Sequence, residues 1–71
     1  MDLKLLQTFK AVYEQGSLSS AADLLDVTQP AVTASIKKLE TSLGYQLFVR
    51  SGRSICATAD ATSLYEKRRS I

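Results

Sequence analysis

A mainly α-helical domain is predicted for this 71-residue chain, with three helices, a short β-hairpin and the start of a fourth helix. Two short helical patterns are separated by a turn at residues 26–30, DVTQP. After Gly44 the pattern becomes strand-like, and from Thr58 it is helical again. At this length the chain has room for one small domain with a single core.

The first helix is predicted from Leu3 to Glu14. Asp2 is a possible N-cap, and Gly16 is a suitable C-terminal stop. Apolar and aromatic side chains recur on one side of this segment at helical spacing, which is typical of a helix that supports a core.

The second helix is predicted from about Ser19 to Leu25, where Ser17, Ser19 and Ser20 offer competing caps. Ala21 and Ala22 share a face with Leu24 and Leu25, and such small side chains allow another helix to cross at close range. The residues expected to pack in the core of the three helices are Phe9, Tyr13, Leu24, Val27, Val32, Ile36 and Leu39.

The third helix is predicted from Gln29 to about Leu43, ending at Gly44. Thr28 is its N-cap, and Pro30 occupies the first turn, where its missing N–H costs nothing. Two helices joined by a short turn in this way form a helix-turn-helix.

The side of the third helix opposite Val32, Ile36 and Leu39 is polar and nearly free of acid. It should present Gln29, Thr33, Ser35 and Lys37 to solvent. Hydroxyls and amides can pair with base edges in a major groove, and lysines can meet phosphates, so this face favours DNA recognition. The competing interpretation is an ordinary helical hairpin whose polar face keeps the domain soluble.

The hairpin is predicted from the strand-prone residues Tyr45 to Val49, a break at residues 51–52, and a second run at Ile55 and Cys56. Arg50 and Arg53 flank its tip, where a guanidinium can reach a phosphate or enter a minor groove. Exposed turns often carry arginine, but a hairpin beside a helix-turn-helix is a wing. Cys56 is expected to be a half-buried strand residue, not a reactive thiol.

A fourth helix is predicted after Thr58, its cap, with Asp60 in the first turn. Leu64, Tyr65, Arg68 and Ile71 would follow one side of it. A terminal helix this short frays unless it docks on the domain or on a second chain.

Charge is distributed unevenly along the chain. Residues 1–36 hold two lysines against four acids, a net charge of −2, whereas residues 37–71 hold seven basic against three acidic residues, a net charge of +4. The basic half contains the third helix from Lys37 onward and all that follows it, as expected of a surface that faces phosphates, although a basic tail is also a common aid to solubility.

The residue inventory argues against catalysis. The chain has no histidine and one cysteine, and it has no metal-ligand spacing and no phosphate-cradling glycine loop. We therefore expect no enzyme activity, no cofactor, no metal and no small-molecule site. No apolar run could span a membrane and the first residues do not form a signal peptide, so a cytoplasmic location is expected.

Three motifs point to a known family: LxxFxxVxExGS from Leu6, AAxxLxVTQPAVT from Ala21, and IKKLExxLGxxLFxRxGR from Ile36 to Arg53. With them the sequence resembles the N-terminal winged helix-turn-helix domain of LysR-type transcriptional regulators of bacteria, over about residues 3–58. The middle motif is highly specific. The resemblance implies double-stranded DNA at an operator as the partner and a role in transcription regulation.

The resemblance also implies individual roles. It implies that base edges are approached by Gln29, Pro30 and Thr33, that phosphates are approached by Thr28, Ser35, Lys37 and Lys38, and that the wing acts through Arg50 and Arg53. In the family the helix after the wing pairs two subunits, and a C-terminal domain senses a small molecule. This implies a DNA-binding domain at residues 1–58 and the start of a linker or dimerisation helix at residues 59–71, through which a homodimer is possible.

The chain departs from the family pattern at the junction of wing and fourth helix. The family shows Leu-Thr-x-Ala-Gly where this chain has residues 57–61, ATADA. Loss of the leucine and the presence of Asp60 are expected to weaken or alter the dimer. The chain also holds no effector domain, as expected of a truncated chain, a natural fragment or a free-standing module. The competing function is a winged-helix module for protein interaction or dimerisation, or a fragment, with weak DNA binding.

Overall fold

A computed structural model describes residues 3–51 and 54–68. In chain order the elements are α1 (Leu3–Gln15), α2 (Leu18–Leu25), α3 (Gln29–Leu43), β1 (Phe48–Ser51), β2 (Ser54–Ala57) and α4 (Ala59–Arg68). The predicted fold class is confirmed: the described part of the chain is mainly helical with one two-stranded hairpin. Three predicted features lie outside the described residues, namely the cap at Asp2, Arg53 at the hairpin tip and the end of the last helix at Ile71.

Helices α1, α2 and α3 enclose the core. Its largest fully buried side chains are Phe9, Val12, Val32, Leu39 and Leu47. Phe9 and Val12 come from α1, Val32 and Leu39 come from α3, and Leu47 comes from the segment that leads into the hairpin. The core therefore ties the hairpin to the helices.

Two residues expected in the core are exposed. Leu24 is 62% exposed and Val27 is 46% exposed. On α2 the buried side is formed by Ala21 and Ala22, and Leu24 lies beyond its edge because successive side chains turn by about 100° around a helix. Val27 follows Asp26, whose left-handed backbone (φ 58°) ends α2 and turns the chain outward.

The caps on α2 and α3 explain where these helices begin. Of the three serines that could cap α2, Ser17 does so: its Oγ accepts a hydrogen bond from the Ser20 amide at 3.2 Å, and α2 therefore begins at Leu18. Thr28 Oγ1 accepts from the Ala31 amide at 3.3 Å, as predicted. Gly44, with φ 85°, ends α3, as predicted.

The two strands pair antiparallel, with Phe48 opposite Ala57 and Val49 opposite Cys56. Cys56 is exposed, so the expectation of a half-buried residue is wrong. Strand side chains alternate between faces, and Phe48 takes the inward one, where its ring lies 5.8 Å from that of Phe9. Val49 and Cys56 consequently share the outward face.

Helix α4 docks on α1 of the same chain. Ala61 and Leu64 are buried, and the rings of Tyr13 and Tyr65 stack with their centroids 4.2 Å apart. The Tyr65 hydroxyl donates to Glu14 Oε2 at 2.5 Å. Of the two partners that the sequence left open for this helix, the domain itself is the one it contacts.

The junction at residues 57–61 leaves no gap in the core of this single chain. Ala57 and Asp60 are both exposed, whereas Ala61 is completely buried. A leucine at position 57 would thus add exposed apolar surface to this chain.

Candidate nucleic-acid interface

The N-terminal half of α3 presents one continuous polar edge. Gln29, Thr33 and Lys37 follow one another at intervals of four residues, which places them along the same side of the helix. Together with Pro30 and Ala34 they line a single shallow surface. Gln29 and Lys37 are exposed, while Thr33 is half-buried. The structure therefore brings together the side chains that the sequence assigned to base edges.

The first turn of α3 is open to solvent. Thr28, Gln29, Pro30 and Ala31 are all exposed. The side chain of Thr28 is already engaged as the cap through its hydroxyl oxygen, and its hydroxyl hydrogen is available to an acceptor. Because the neighbouring Ala31 and Ala34 are small, a bulky ligand can approach the helix backbone closely at this end.

Ser35 does not lie on the edge that carries Gln29. It is half-buried and lines a groove toward α1, together with Lys4, Gln7 and Val27. Thr33 and Ser35, predicted to face solvent together with Gln29, are both half-buried, and Ser35 lies on a different flank. Position 35 lies on the opposite flank of α3 because it is two residues beyond position 33, roughly 200° around the helix.

The wing places a cation beside this edge. Arg50 on β1 is exposed and lines a cleft shared with Thr33, Lys37 and Glu40 of α3. Arg50 also lines a second cleft that it shares with Gln29. The predicted neighbourhood of helix and wing is thus present in the described residues. Arg53, the second predicted wing arginine, lies outside them.

The second cleft contains residues that the sequence reasoning did not assign to the site. Ser17 and Ser19, at the start of α2, line it together with Gln29, Arg50 and Ser54. Their signal was in the sequence, because hydroxyls at a helix N-terminus accompany unpaired backbone amides that attract anions. The sequence pattern predicts these serines only as competing caps of α2.

The electrostatics of this side are favourable to an anion. Its exposed charged side chains on α3 and β1 include Lys37, Lys38 and Arg50. The acidic side chain beside them, Glu40, is half-buried. Its carboxylate accepts hydrogen bonds from two backbone amides, at 2.7 Å from Leu47 and 3.3 Å from Phe48. The negative charge is therefore directed into the protein and the positive charges outward.

Two further observations concern the described residues only. None of the helices in residues 3–51 and 54–68 has the length and apolarity to cross a bilayer. Within the same residues, no three side chains of His, Cys, Asp or Glu lie close enough together to hold a metal ion.

Comparison with known proteins identifies the family of this chain. The profile described as "Bacterial regulatory helix-turn-helix protein, lysR family" matches residues 3–62. The chain belongs to the LysR family. A curated LysR-type relative, the HTH-type transcriptional regulator AbaB of Streptomyces antibioticus, is 50% identical over 58 residues, which are 82% of this chain and 19% of that protein. This chain thus spans about a fifth of that relative's length.

Solved structures support the same assignment of the fold. A complex of the CbnR DNA-binding domain with DNA superimposes with a TM-score of 0.92 at 38% identity, covering 99% of this chain and 80% of that chain. A complex of the BenM DNA-binding domain with benA site 1 DNA has a TM-score of 0.88 at 37% identity, covering 94% and 75%. The fold of this chain is that of a LysR-type winged helix-turn-helix DNA-binding domain.

Proposed function

We propose that this LysR-family chain binds double-stranded DNA sequence-specifically, with the N-terminal half of α3 in the major groove and the wing against the adjacent backbone. The observation that carries the proposal is the shared exposed edge of Gln29, Pro30, Thr33 and Lys37 beside Arg50. A major groove about 12 Å wide admits one helix. The exposed alanines at positions 31 and 34 let that helix approach closely.

Base reading is assigned to the start of α3. The Gln29 amide has both a donor and an acceptor, as recognition of adenine requires, and the hydroxyl of Thr33 can serve either way. Pro30 offers an apolar contact of the kind that a thymine methyl favours. Gln29 and Pro30 are exposed, as residues on a groove-facing helix edge must be, whereas Thr33 is half-buried.

Phosphate contacts are assigned to the residues around that edge. We propose Thr28, Ser35, Lys37 and Lys38 on or next to α3, and Arg50 and Arg53 on the wing. Lys37, Lys38 and Arg50 are exposed, which supports their assignment. Ser35 has the least support, because its half-buried position would restrict it to the margin of the interface.

The remaining expectations concern the protein to which this domain belongs. We propose that residues 1–58 form the DNA-binding unit and that residues 59–71 begin a helix that pairs two subunits, so that two α3 helices bind a divided site. Ala61 and Leu64 dock on the rest of the core, which supports a helix that starts on the DNA-binding unit. Transcription regulation in the cytoplasm, where bacterial DNA lies, is proposed on the family alone.

One observation favours a second function, a module for protein interaction. Leu3 and Leu24 are 52% and 62% exposed, and both line an apolar groove with Leu6, Phe9 and Tyr65. None of these residues lines the surface around Gln29. A partner held by this groove would stay bound at salt concentrations that release DNA, because apolar burial is not weakened by salt.

The experiment is a binding selection followed by titration. Duplexes enriched from a random library by the chain are labelled, and their fluorescence anisotropy is compared with that of scrambled duplexes over a salt series, while the mass in solution is recorded. A DNA reader shows a steep salt dependence together with a preference for the selected sequence. A folded chain that enriches no sequence and binds no duplex at low salt would refute the proposal.

A further inference from the structure

We infer that Glu40 is a positioning residue for DNA binding, which fixes the wing beside α3 by holding the backbone that enters β1. The inference rests on the proposed function. Glu40 belongs to the fourth turn of α3, further along the side that carries Gln29 and Thr33. Its carboxylate Oε2 accepts hydrogen bonds from the amides of Leu47 and Phe48, at 2.7 Å and 3.3 Å.

The segment held by Glu40 is also held from its other side. Thr58 Oγ1 donates to the carbonyl oxygen of Gln46 at 2.8 Å, and the Thr58 amide donates to that of Leu47 at 2.9 Å. Residues 46–48 therefore have amides anchored to α3 and carbonyls anchored to the residue that caps α4. Since Leu47 is completely buried, this segment cannot shift without disturbing the core.

The wing arginine depends on this anchor. Arg50 is two residues beyond Phe48 on the same strand, so both side chains project to the same side of β1. The two-stranded hairpin is too small to be stable by itself, and its direction must come from contacts at its base. Glu40 supplies one such contact from the same helix that carries the proposed base-reading residues. Through it, the distance between Arg50 and the edge of α3 is fixed before DNA arrives.

A carboxylate suits this task better than a neutral group. Hydrogen bonds from backbone amides to an ionised oxygen are shorter and roughly twice as strong as neutral ones. The two backbone amides also offset the negative charge of Glu40 inside the cleft that Lys37 and Arg50 line, which reduces its repulsion of a phosphate at the entrance. An acid that only faced the DNA would weaken binding, and its removal would strengthen it.

The test is a double-mutant cycle between Glu40 and Arg50, measured as duplex affinity at one salt concentration. Glu40→Asp keeps the charge but is one methylene too short to reach both amides. In the wild type we expect Arg50→Ala to weaken binding about five- to tenfold, the range of a well-placed charged contact. In the Glu40→Asp background we expect about twofold or less, because the wing is no longer held in place.

Two variants separate position from charge and from stability. Glu40→Gln retains an acceptor oxygen of the right reach without the charge, and it should restore most of the Arg50→Ala penalty. Val12→Ala truncates a buried side chain of α1, leaves the Glu40 hydrogen bonds intact and lowers stability. It should leave the loss of duplex affinity caused by Arg50→Ala at its wild-type size. Thermal unfolding reports the folded fraction of every variant.

The outcomes distinguish the inference from the function on which it rests. A wild-type chain that binds duplex while the Arg50→Ala penalty is the same in Glu40→Asp overturns the positioning role alone. So does a wild type in which Arg50→Ala has no effect. A folded wild type that binds no duplex overturns both proposals. Should Glu40→Asp fail to fold, an Arg50→Ala penalty that Glu40→Gln abolishes would equally overturn the role, since it would show that charge alone matters.

Discussion

Helices α3 and α4 are both capped by a threonine, yet they are attached to the domain in different ways. Helix α3 has 15 residues and buries Val32, Ile36 and Leu39 in the core. Helix α4 has ten residues; it buries Ala61 and Leu64 and also makes tyrosine and hydroxyl contacts with α1. The polar side chains of α4 are therefore used for docking, whereas those on the outer edge of α3 remain available to a ligand.

The difference shows how a small domain keeps one helix for recognition. Helix α3 is held by the apolar core and, near its C-terminal end, by Glu40, so the side chains of Gln29 and Lys37 need no partner within the chain. Helix α4 combines two buried apolar side chains with the hydrogen bonds of Tyr13 and Tyr65, which give this short helix a defined direction.

Truncation of a buried leucine should reveal the largest difference between α3 and α4 in their contributions to stability. Leu39→Ala on α3 removes a side chain with no exposure, and we expect it to lower the free energy of unfolding by about 3 to 5 kcal/mol. Such a loss can exceed the whole stability of so small a domain.

The matched substitution on α4, Leu64→Ala, should cost closer to about 2 kcal/mol, the lower end for leucine, because a short terminal helix can adjust around the gap. Urea unfolding of both variants measures the difference. Equal losses would show that α4 is packed as firmly as α3.

Loss of the Gln29 amide should change DNA recognition by α3 without changing the stability of the domain. Gln29 is exposed, so Gln29→Ala should leave stability nearly unchanged and reduce discrimination between operator variants by about 1 to 3 kcal/mol. Gln15→Ala, an exposed glutamine at the end of α1, is the control and should leave discrimination as it is. An unchanged ranking of duplex variants for Gln29→Ala would remove this residue from the base-reading set.

The two threonine caps should contribute differently to the stability of the domain. Thr28→Ala loses one side-chain bond at 3.3 Å to the first turn of α3, so about 1 kcal/mol is expected. Thr58 Oγ1 accepts from the Ala61 amide at 3.1 Å and also donates to the Gln46 carbonyl, so Thr58→Ala should approach about 2 kcal/mol. Thermal unfolding of the pair gives the order, and a larger loss for Thr28→Ala would contradict it.

Removal of a single lysine should give the smallest change, visible mainly in the salt dependence. Lys37→Ala should lower affinity for every duplex and flatten the slope of log affinity against log salt by about one unit. Lys67→Ala removes the same charge from an exposed position on α4 and should leave the slope nearly unchanged. If both substitutions flatten the slope equally, the phosphates contact α4 as well as α3.

The limits of α2 and α3 were predictable because their signals are local. Thr28 and Pro30 mark the start of α3 and Gly44 marks its end, all within a few residues of the boundary. The polar edge of α3 was predictable for the same reason, since Gln29, Thr33 and Lys37 recur at helical spacing. The half-buried position of Ser35 was not predictable, because spacing alone does not show that α1 lies beside this flank of α3.

What the sequence pattern could not provide depends on contacts between distant residues. Tyr13 and Glu14 meet α4 at positions 49 and 51 residues away along the chain. The exposure of Cys56 follows from the register of the hairpin, which places it opposite Val49. Likewise, nothing in the spacing of Glu40 shows that its carboxylate reaches the backbone at the base of the wing.

The central claim is that α3 and the wing bind DNA while α4 and the apolar groove do not. Its most direct test is an NMR titration of the isotopically labelled chain with a selected duplex at low salt. Amide shifts should change most for residues 28–38 of α3 and for β1 around Arg50, and change little along α4. Duplex-induced changes that are largest on α4 and on the apolar groove of Leu3 and Leu24, with α3 unaffected, would contradict the account and assign recognition to the other face.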